Sequence, residues 1–370
     1  MTRVVWISCV GEKGGAEVTL LNTFRVLDRQ RFRPGVIQLR PGPLEQEVRE
    51  IDADVWVLRR HRMREWHRML QAVIQIRNVI RREGIALIHS NGFRAHLYGG
   101  LAARWAGIPE VWTNHAVEQD NFLTRLICSV PTRQIIANCT RTGDYFRNRG
   151  LPTQTIWPGV HLGRLEQGTA REVLAGRYKL PTTARWISMG ARLQRFKGHS
   201  YFLRALASLP RDSQTQGVVI GGSLFGLEQE YLTELKREAT ALGLDGRVTF
   251  TGFIPDEDVA GLLKASELVI HPALDEDFGL TVAEAQALGV PVLAFAAVGP
   301  AAILEHDRTG WLVPIGDQTA LDTALNQALA DPQRLRVLGV AGRQRIRERF
   351  TIEVHTRQTE AVYERVLQAH

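Results

Sequence analysis

The chain has 370 residues, of which 44% are hydrophobic and 23% are charged, and its formal net charge is +7. This length exceeds what one hydrophobic core usually serves, so we expect two domains. No apolar run is long enough to span a bilayer, the run before Gly11 is too short for a signal peptide, and the three cysteines lack metal-binding spacing. These features argue against an integral membrane protein and a disulfide scaffold, and they predict a cytoplasmic protein.

Apolar β-rich runs alternate with amphipathic stretches along most of the chain, which is typical of parallel sheets with crossover helices. In the first half, the predicted strands cover 4–8, 35–39, 54–58, 86–90, 110–114, 134–138 and 153–157. A more polar segment extends from 161 to about 183. The alternation then restarts, with predicted strands over 185–189, 217–221, 247–251, 268–272 and 291–295.

This order predicts an α/β protein with two Rossmann-like, doubly wound parallel-sheet domains that face a central cleft. We expect an N-terminal domain over 1–160, a C-terminal domain over 161–350, and a helix over 351–370 that packs back on the N-terminal domain. Ligands of such sheets bind beyond the carboxyl ends of the strands, where the strand order reverses. Polar residues that directly follow strands are therefore the first candidates for a site.

The segment 58–82 carries much of the basic charge, with eight arginines against the single acid Glu65. Its apolar residues recur at helical spacing, and a basic amphipathic helix can lie on an anionic membrane such as the inner face of the plasma membrane. The alternative is a core-packed helix with a solvated arginine face. Nucleic acid would also suit the charge, but no nucleic-acid-binding module is recognisable, so no nucleic acid is predicted as a partner.

The segment 275–285 follows the predicted strand 268–272 and leads into a helix from about 280 to 288. Gly279 lets the backbone approach a ligand, and free N–H groups at the helix start suit phosphate or sugar oxygens. Glu276 lies before this helix and Glu284 lies about one turn inside it. The two carboxylates can therefore accept hydrogen bonds from the hydroxyls of different parts of one ligand.

Two other interpretations of this segment are weaker. Asp275 or Asp277 could cap the helix while Glu284 stays solvated, but capping does not explain the Phe-Gly-Leu sequence at 278–280. Asp275 and Asp277 also mimic an Asp-x-Asp metal motif. We predict no metal there, because the motif precedes Phe-Gly-Leu and a second glutamate in a chain with two Rossmann-like halves.

A second group of candidates follows the predicted strand 185–189. Arg192 and Lys197 in one loop can clamp the two phosphates of a nucleotide diphosphate, the first through its planar fork and the second as a point charge. Such cations stabilise the charge that develops on a departing pyrophosphate. A surface loop with unrelated basic residues is the alternative.

Further candidates follow strands of the first half. Gly14 and Gly15 open a helix after the first strand and permit close approach to phosphate or sugar. Their spacing is not the dinucleotide-binding pattern and no Walker lysine pattern is present, which disfavours a dehydrogenase and a nucleotide hydrolase. His115 directly follows the strand 110–114 and is expected to face the cleft, whereas we interpret His89 as structural.

These motifs, in this order, resemble the retaining GT-B glycosyltransferases of glycosyltransferase family 4, also described as glycosyl transferases group 1. The resemblance covers most of the chain and is strongest from about 185 to 313. It rests on four pieces: Gly14-Gly15-Ala16-Glu17, Arg192 with Lys197-Gly198, Thr251-Gly252-Phe253, and Glu276 with Glu284.

The resemblance implies a role for each matching position. Two acids would hold the hydroxyls of the nucleotide ribose and of the donor sugar, and these are Glu284 and Glu276, respectively. The implied catalytic group comprises the sugar-contacting acid, the diphosphate clamp and a histidine near the reacting face of the sugar: Glu276, Arg192, Lys197 and His115. The implied donor-binding residues border phosphate, sugar, ribose or nucleobase: Gly14, Gly15, Gly252, Phe253, Phe278, Gly279, Leu280 and Glu284.

The resemblance also implies a reaction. A hexose would move from a UDP- or GDP-sugar to a hydroxyl of a glycan or lipid-linked acceptor, with retention at the anomeric carbon and without a metal or other cofactor. Such a reaction serves cell-surface polysaccharide or glycolipid synthesis. The alternatives are a catalytically inactive, nucleotide-sugar-binding partner subunit, which the retained candidate residues disfavour, and a sugar-nucleotide epimerase, whose expected acids are not found.

Two positions depart from the family pattern. Ala302 stands where a glutamate is expected, and His161 stands where the loop after the first domain usually has an aspartate. Both departures concern loops that border the nucleotide or the sugar rather than the main clamp residues.

Overall fold

The computed structural model describes residues 1–11, 15–58, 66–116, 121–222 and 229–370. The chain divides into two compact units, of which the first comprises Met1–Gly159 with Ile352–His370 and the second comprises Val160–Thr351. Each unit contains a parallel sheet with crossover helices. The predicted α/β fold of two Rossmann-like, doubly wound domains is confirmed.

The described part of the first unit contains seven strands: β1 (Thr2–Ser8), β2 (Phe32–Gln38), β3 (Asp54–Val57), β4 (Leu87–Asn91), β5 (Glu110–Asn114), β6 (Gln134–Ala137) and β7 (Thr153–Thr155). Neighbouring strands are parallel, in the order β3-β2-β1-β4-β5-β6-β7. The helices that precede the second unit are α1 (Gly15–Val26), α2 (Leu44–Glu50), α3 (Trp66–Glu83), α4 (Phe93–Ala106), α5 (Phe122–Cys128) and α6 (Thr140–Arg147).

The second unit has six strands in its described residues: β8 (Arg185–Gly190), β9 (Thr215–Ile220), β10 (Val248–Phe250), β11 (Leu268–His271), β12 (Val292–Phe295) and β13 (Trp311–Val313). They are parallel, in the order β10-β9-β8-β11-β12-β13. Two short helices precede the sheet, α7 (Leu162–Glu166) and α8 (Arg171–Tyr178). The others are α9 (His199–Ala207), α10 (Gln229–Ala241), α11 (Asp256–Ala265), α12 (Leu280–Ala287), α13 (Val298–Ile303), α14 (Gln318–Ala330) and α15 (Pro332–Arg349).

The central strands of both sheets are buried on both faces. In β1, Val4, Val5, Trp6 and Ile7 are each at most 2% exposed, so both sets of alternating side chains pack against other elements. Helices cover both faces of a parallel sheet, which is why such strands are continuous apolar runs rather than alternating ones. This property made the strands recognisable in the sequence.

The last helix, α16 (Ile352–Gln368), packs within the first unit. The fully buried hydroxyl of Tyr363 accepts a hydrogen bond from Trp6 Nε1 at 3.0 Å and also contacts His89 Nδ1. Glu360 of the same helix accepts the backbone N–H of Asp28 at 2.8 Å. Polar bonds to the sheet and to the turn before β2 therefore fix α16 in addition to its apolar contacts.

Replacement of Tyr363 by phenylalanine should lower the free energy of unfolding by about 1–3 kcal/mol, because it leaves buried groups of Trp6 and His89 without a partner. Urea denaturation followed by circular dichroism measures this change. Tyr201→Phe is the control, since the Tyr201 hydroxyl makes no hydrogen bond with other described residues. Equal stability of the two variants would contradict the assigned role of Tyr363.

The structure differs from the sequence expectation in the polar segment and at one strand. The segment from 161 to 183 contains α7 and α8, and β13 had no predicted counterpart. The apolar run of β13 has only three residues between Gly310 and Pro314, which is shorter than the five-residue runs that predicted β7 and β10. Gly310 lies so close to the sheet that a Cβ there would be 2.6 Å from the carbonyl oxygen of Val292.

The basic segment 58–82 is only partly described, because 59–65 lie outside the described residues. In α3, the apolar residues Val73, Ile76, Val79 and Ile80 are buried in the core of the first unit. This packing matches the interpretation of a core helix for the described part. None of the described helices is long and apolar enough to cross a membrane.

Candidate functional site

In the second unit, the strand order reverses between the neighbouring strands β8 and β11. The loops that follow these two strands meet at this switch point, where Leu274 N–H donates to the carbonyl oxygen of Phe196 at 2.7 Å. Gly198 has a φ of +79°, and a Cβ there would lie 1.8 Å from the carbonyl oxygen of Pro272. Only glycine permits this close approach, so Gly198 brings the two candidate loops together.

Three charged or titratable side chains meet between these loops. Lys197 Nζ lies 2.7 Å from Glu276 Oε2, and His271 Nε2 lies 3.1 Å from the same oxygen. The side chains of Lys197 and Glu276 are each 14% exposed, and that of His271 is 2% exposed. Burial alone would raise the pKa of Glu276, but hydrogen bonds and charge from His271 and Lys197 lower it to about 2. Glu276 is therefore ionised at any physiological pH.

The backbone after Glu276 is fixed by close contact with α13. Gly299 N–H donates to the carbonyl oxygen of Glu276 at 2.9 Å. A Cβ on Gly299 would lie only 2.1 Å from the carbonyl oxygen of Phe278. The Phe278 side chain is 5% exposed, so it packs inside the unit. Gly279 has a φ of +87° and Leu280 begins α12, so the free N–H groups of this helix closely follow Glu276 in the chain.

Glu284 lies in the second turn of α12, and its carboxyl forms no hydrogen bond or ion pair with other described residues. Burial raises the pKa of its carboxyl to about 7, with a smaller opposing contribution from Arg164 and a raising one from Asp256. An unpaired carboxyl that titrates near neutrality is unusual for a structural residue and typical of a ligand-binding one.

The remaining candidates of the second unit lie beyond the ends of β8 and β10. Arg192 is exposed and forms no ion pair with other described residues, so its guanidinium is available to an anion. Gly252 has a φ of +69° and Phe253 is 64% exposed. A Cβ on Gly222, after β9, would lie 2.8 Å from Phe253 N, so the loops after these strands are also in close contact.

The first unit has a corresponding switch point between β1 and β4, with β5 on the far side of β4. Gly15 begins α1, and no described atom lies within 4 Å of the position that its Cβ would take. Gly14 lies outside the described residues. His115 follows β5, and its Nε2 lies 2.7 Å from Asn91 Oδ1. Burial and the nearby His355 lower the pKa of His115 to about 4, so the imidazole is neutral.

The two departures from the family pattern have structural counterparts. His161 precedes α7, and its Nδ1 accepts the backbone N–H of Arg164 at 3.1 Å. This imidazole takes the place that a carboxylate usually has as a helix cap. Ala302 lies in α13, and its carbonyl oxygen accepts a hydrogen bond from Arg345 at 3.1 Å.

Two residues that contact the candidates were not predicted as members of the site. His271 is the last residue of β11, and Asn91 is the last residue of β4. Both are polar residues at the carboxyl end of a strand next to a switch point, so the signal was present in the sequence. The described residues contain no cluster of three or more His, Cys, Asp or Glu that could hold a metal.

Two family models together match most of the chain. Glycosyltransferase Family 4 matches residues 13–164 and Glycosyl transferases group 1 matches residues 171–345. The D-inositol 3-phosphate glycosyltransferase of Corynebacterium diphtheriae is 30% identical over 306 residues, which cover 75% of this chain and 70% of that relative. The chain belongs to glycosyltransferase family 4.

Other comparisons agree with this family 4 assignment. The D-inositol 3-phosphate glycosyltransferase of Salinispora tropica is 29% identical over 77% of this chain, and the match spans only 64% of that relative. Among solved structures, Anabaena HepE in complex with UDP and glucose has a TM-score of 0.82 at 24% identity. That similarity covers 98% of this chain and 100% of HepE, and it concerns the fold.

Proposed function

We propose that this family 4 protein is a retaining, metal-independent glycosyltransferase that moves a hexose from a UDP- or GDP-sugar to a hydroxyl. The observation that carries the proposal is the buried Lys197–Glu276–His271 cluster at the switch point of the second unit. This cluster pairs a cation with an ionised carboxylate that lies just before the start of α12 in the chain. Glu284 lies in the second turn of the same helix. Cations there suit a diphosphate, and carboxylates suit the hydroxyls of a ribose and a pyranose.

In the proposed reaction, a bond forms between the acceptor oxygen and the anomeric carbon while the bond from that carbon to the diphosphate oxygen breaks. The departing diphosphate takes the proton of the acceptor hydroxyl. Lys197 and Arg192 stabilise the negative charge that develops on the diphosphate. Glu276 uses its second oxygen, Oε1, to hold a sugar hydroxyl, because Oε2 is engaged by Lys197 and His271. The role of His115 beside the sugar stays a prediction.

The proposed donor rests on the charged residues of the candidate site and on the similarity to HepE. HepE binds UDP and glucose, which supports a nucleotide-diphosphate sugar as co-substrate. The acceptor is proposed to be a glycan or a lipid-linked hydroxyl of cell-surface polysaccharide or glycolipid synthesis. The names of the relatives add D-inositol 3-phosphate as a second acceptor for testing.

A thermal-shift screen of UDP, GDP, ADP and their sugar conjugates, in the presence of EDTA, tests the donor. A ligand at about 100 times its Kd adds about 2.7 kcal/mol to the free energy of unfolding, which appears as a higher Tm. The shift should be lost in Glu284→Ala. Incubation of the donor thus found with each acceptor, followed by NMR of the product's anomeric proton, then tests transfer and retention. Binding without transfer would favour an inactive partner subunit, and no binding would contradict the proposal.

The pKa of Glu284 predicts a pH dependence of donor binding. The protonated carboxyl is a poorer acceptor for two hydroxyls than the carboxylate, so the donor should bind about five- to tenfold more tightly at pH 8 than at pH 6. Binding near pH 6 should also release a proton. Isothermal titration calorimetry in buffers of different ionisation enthalpy measures both quantities.

Glu284→Gln is the matched variant for this prediction, because it keeps the size of the side chain and removes the titration. Its donor affinity should be lower and independent of pH over the same range. Without donor, the pKa of Glu284 is higher in the folded protein than the ordinary value of 4.5. Protonation of this carboxyl therefore contributes fully to stability below pH 4.5, and the contribution is lost as the pH rises through about 7. Glu284→Gln should not show this loss of stability with rising pH. If donor binding and stability in Glu284→Gln depended on pH as they do in the unmodified protein, the assignment of the titration to Glu284 would be wrong.

We further propose a cytoplasmic location with peripheral contact at the inner face of the plasma membrane. The apolar side of the described part of α3 is buried, so this contact would depend on exposed arginines such as Arg81 and Arg82. Co-sedimentation with anionic vesicles at low salt should be lost in R81E/R82E. Failure of the unmodified protein to sediment would exclude the contact.

A further inference from the structure

Asn91 occupies the centre of the carboxyl edge of the first sheet. It ends β4, which lies between β1 and β5, and it contacts His115, the residue that follows β5. Asn91 is only 8% exposed. Gly92, with a φ of +99°, follows it and precedes α4, so the chain turns sharply just after the asparagine.

The backbone of His115 is held independently of Asn91. Its N–H donates to Asn114 Oδ1 at 3.0 Å, and its carbonyl oxygen accepts from Asn138 Nδ2 at 2.9 Å. These bonds do not fix the orientation of the imidazole. The contact of 2.7 Å between His115 Nε2 and Asn91 Oδ1 fixes it.

This contact also selects one tautomer. An amide oxygen only accepts hydrogen bonds, so Nε2 of His115 must carry the hydrogen. The ring is neutral because burial lowers its pKa to about 4, and Nδ1 is therefore an unprotonated acceptor. His89 and His355, the titratable groups nearby, have lowered pKa values through burial and add no positive charge at neutral pH.

The other end of the Asn91 amide argues against a purely structural role. Nδ2 is buried and has no hydrogen-bond partner among the described residues. A buried asparagine that served stability alone would be expected to pair both ends of its amide, because an unpaired buried donor destabilises the fold. The pairing that exists is instead directed at His115.

We propose that Asn91 is a positioning residue that holds His115 as its Nε2–H tautomer, so that the unprotonated Nδ1 is the acceptor that this imidazole offers to a ligand hydroxyl. The identity of the ligand rests on the proposed function, whereas the tautomer does not. Asn91 acts through His115 and need not touch the substrate.

The tautomer can be measured on the free protein labelled with ¹⁵N-histidine. Long-range ¹H–¹⁵N spectra distinguish a protonated from an unprotonated ring nitrogen, and the spectrum of His115→Gln assigns the signals. We expect the Nε2–H form in the unmodified protein and a mixture of tautomers in Asn91→Ala. Asn138→Ala, which removes only the backbone contact, should keep the Nε2–H form. An Nδ1–H ring in the unmodified protein, or an unchanged spectrum in Asn91→Ala, would overturn the proposal.

Kinetics supply the functional readout. A misplaced group in a site can reduce the rate by on the order of 100-fold, so kcat for transfer should fall by about that factor in Asn91→Ala while KM for the donor changes little. In Asn91→Asp, the added carboxylate should raise the pH at which the His115 ring takes up a proton, and the acidic limb of the pH–rate profile should move with it. If the NMR spectra show the expected tautomers but the protein transfers no sugar, the proposed function is rejected and the tautomer assignment remains.

Discussion

Replacement of Lys197 by alanine is expected to lower kcat/KM for sugar transfer by about 10²- to 10³-fold, the usual effect of removing one group that stabilises developing negative charge. In the structure, the ammonium lies 2.7 Å from Glu276 Oε2 and is largely shielded from water. Its loss removes a cation from the proposed diphosphate site. It also leaves Glu276 with His271 as the remaining polar contact. Steady-state kinetics with the donor identified by thermal shift measure the effect.

Arg195→Ala is the matched control for this variant. Arg195 lies in the same 3₁₀ turn, Arg195–Lys197, but its side chain is exposed and paired with Glu234 on α10. Exposed pairs of this kind contribute little to stability, so both Tm and kcat/KM should stay close to those of the unmodified protein. If Lys197→Ala retained full activity, or if Arg195→Ala were equally damaged, the assignment of Lys197 to the reaction would be wrong.

Replacement of Asp258 by alanine is expected to lower the free energy of unfolding by about 3 kcal/mol, because it removes a buried charge from a shared network. Asp258 lies in the first turn of α11 and is 1% exposed. Its Oδ1 accepts hydrogen bonds of 2.6 Å from both Thr169 Oγ1 and Arg177 Nη1, and Oδ2 accepts from the Tyr178 hydroxyl. The carboxylate thus holds α8 and the turn before it against α11.

The same network predicts a dependence on pH. Burial alone would raise the pKa of Asp258, but hydrogen bonds from Thr169, Tyr178 and Arg177 outweigh it and lower the pKa below 3.8. Its contribution to stability is therefore complete above pH 3.8 and is lost as the pH falls through the folded-state pKa. Urea denaturation at several pH values should show a smaller loss on acidification in Asp258→Asn than in the unmodified protein. Glu257→Gln, at the preceding and exposed position, should behave as the unmodified protein does.

The fold was predictable because strands buried on both faces are continuous apolar runs. Where the run was long, as in β1 or β5, the sequence located the strand to within two residues. β13 was missed because Gly310 and Pro314 limit its apolar run to three residues, whereas the equally short β7 and β10 lie within predicted runs of five residues. The helices α7 and α8 were missed because their polar composition resembles that of a loop.

The acids and cations of the second unit were predictable as candidates because each follows a strand at a switch point. Their arrangement was not, because it depends on contacts between loops. The sequence gives no sign that Gly198 lies against Pro272, yet that contact brings Lys197 to Glu276. His271 and Asn91 were missed for a similar reason, since a polar residue at a strand end gains significance only when its partner is known.

The return of α16 to the first unit has a consequence for synthesis on the ribosome. The second unit is contiguous in the chain, so it can fold as soon as Thr351 has emerged. The first unit cannot complete its core until the final helix follows, because Tyr363 bonds to Trp6 and His89. Domains generally fold as units in the order of their synthesis. In this chain, the unit that is begun first is finished last, and nascent chains that expose Thr351 while α16 is still inside the ribosome should hold a folded second unit and an incomplete first one.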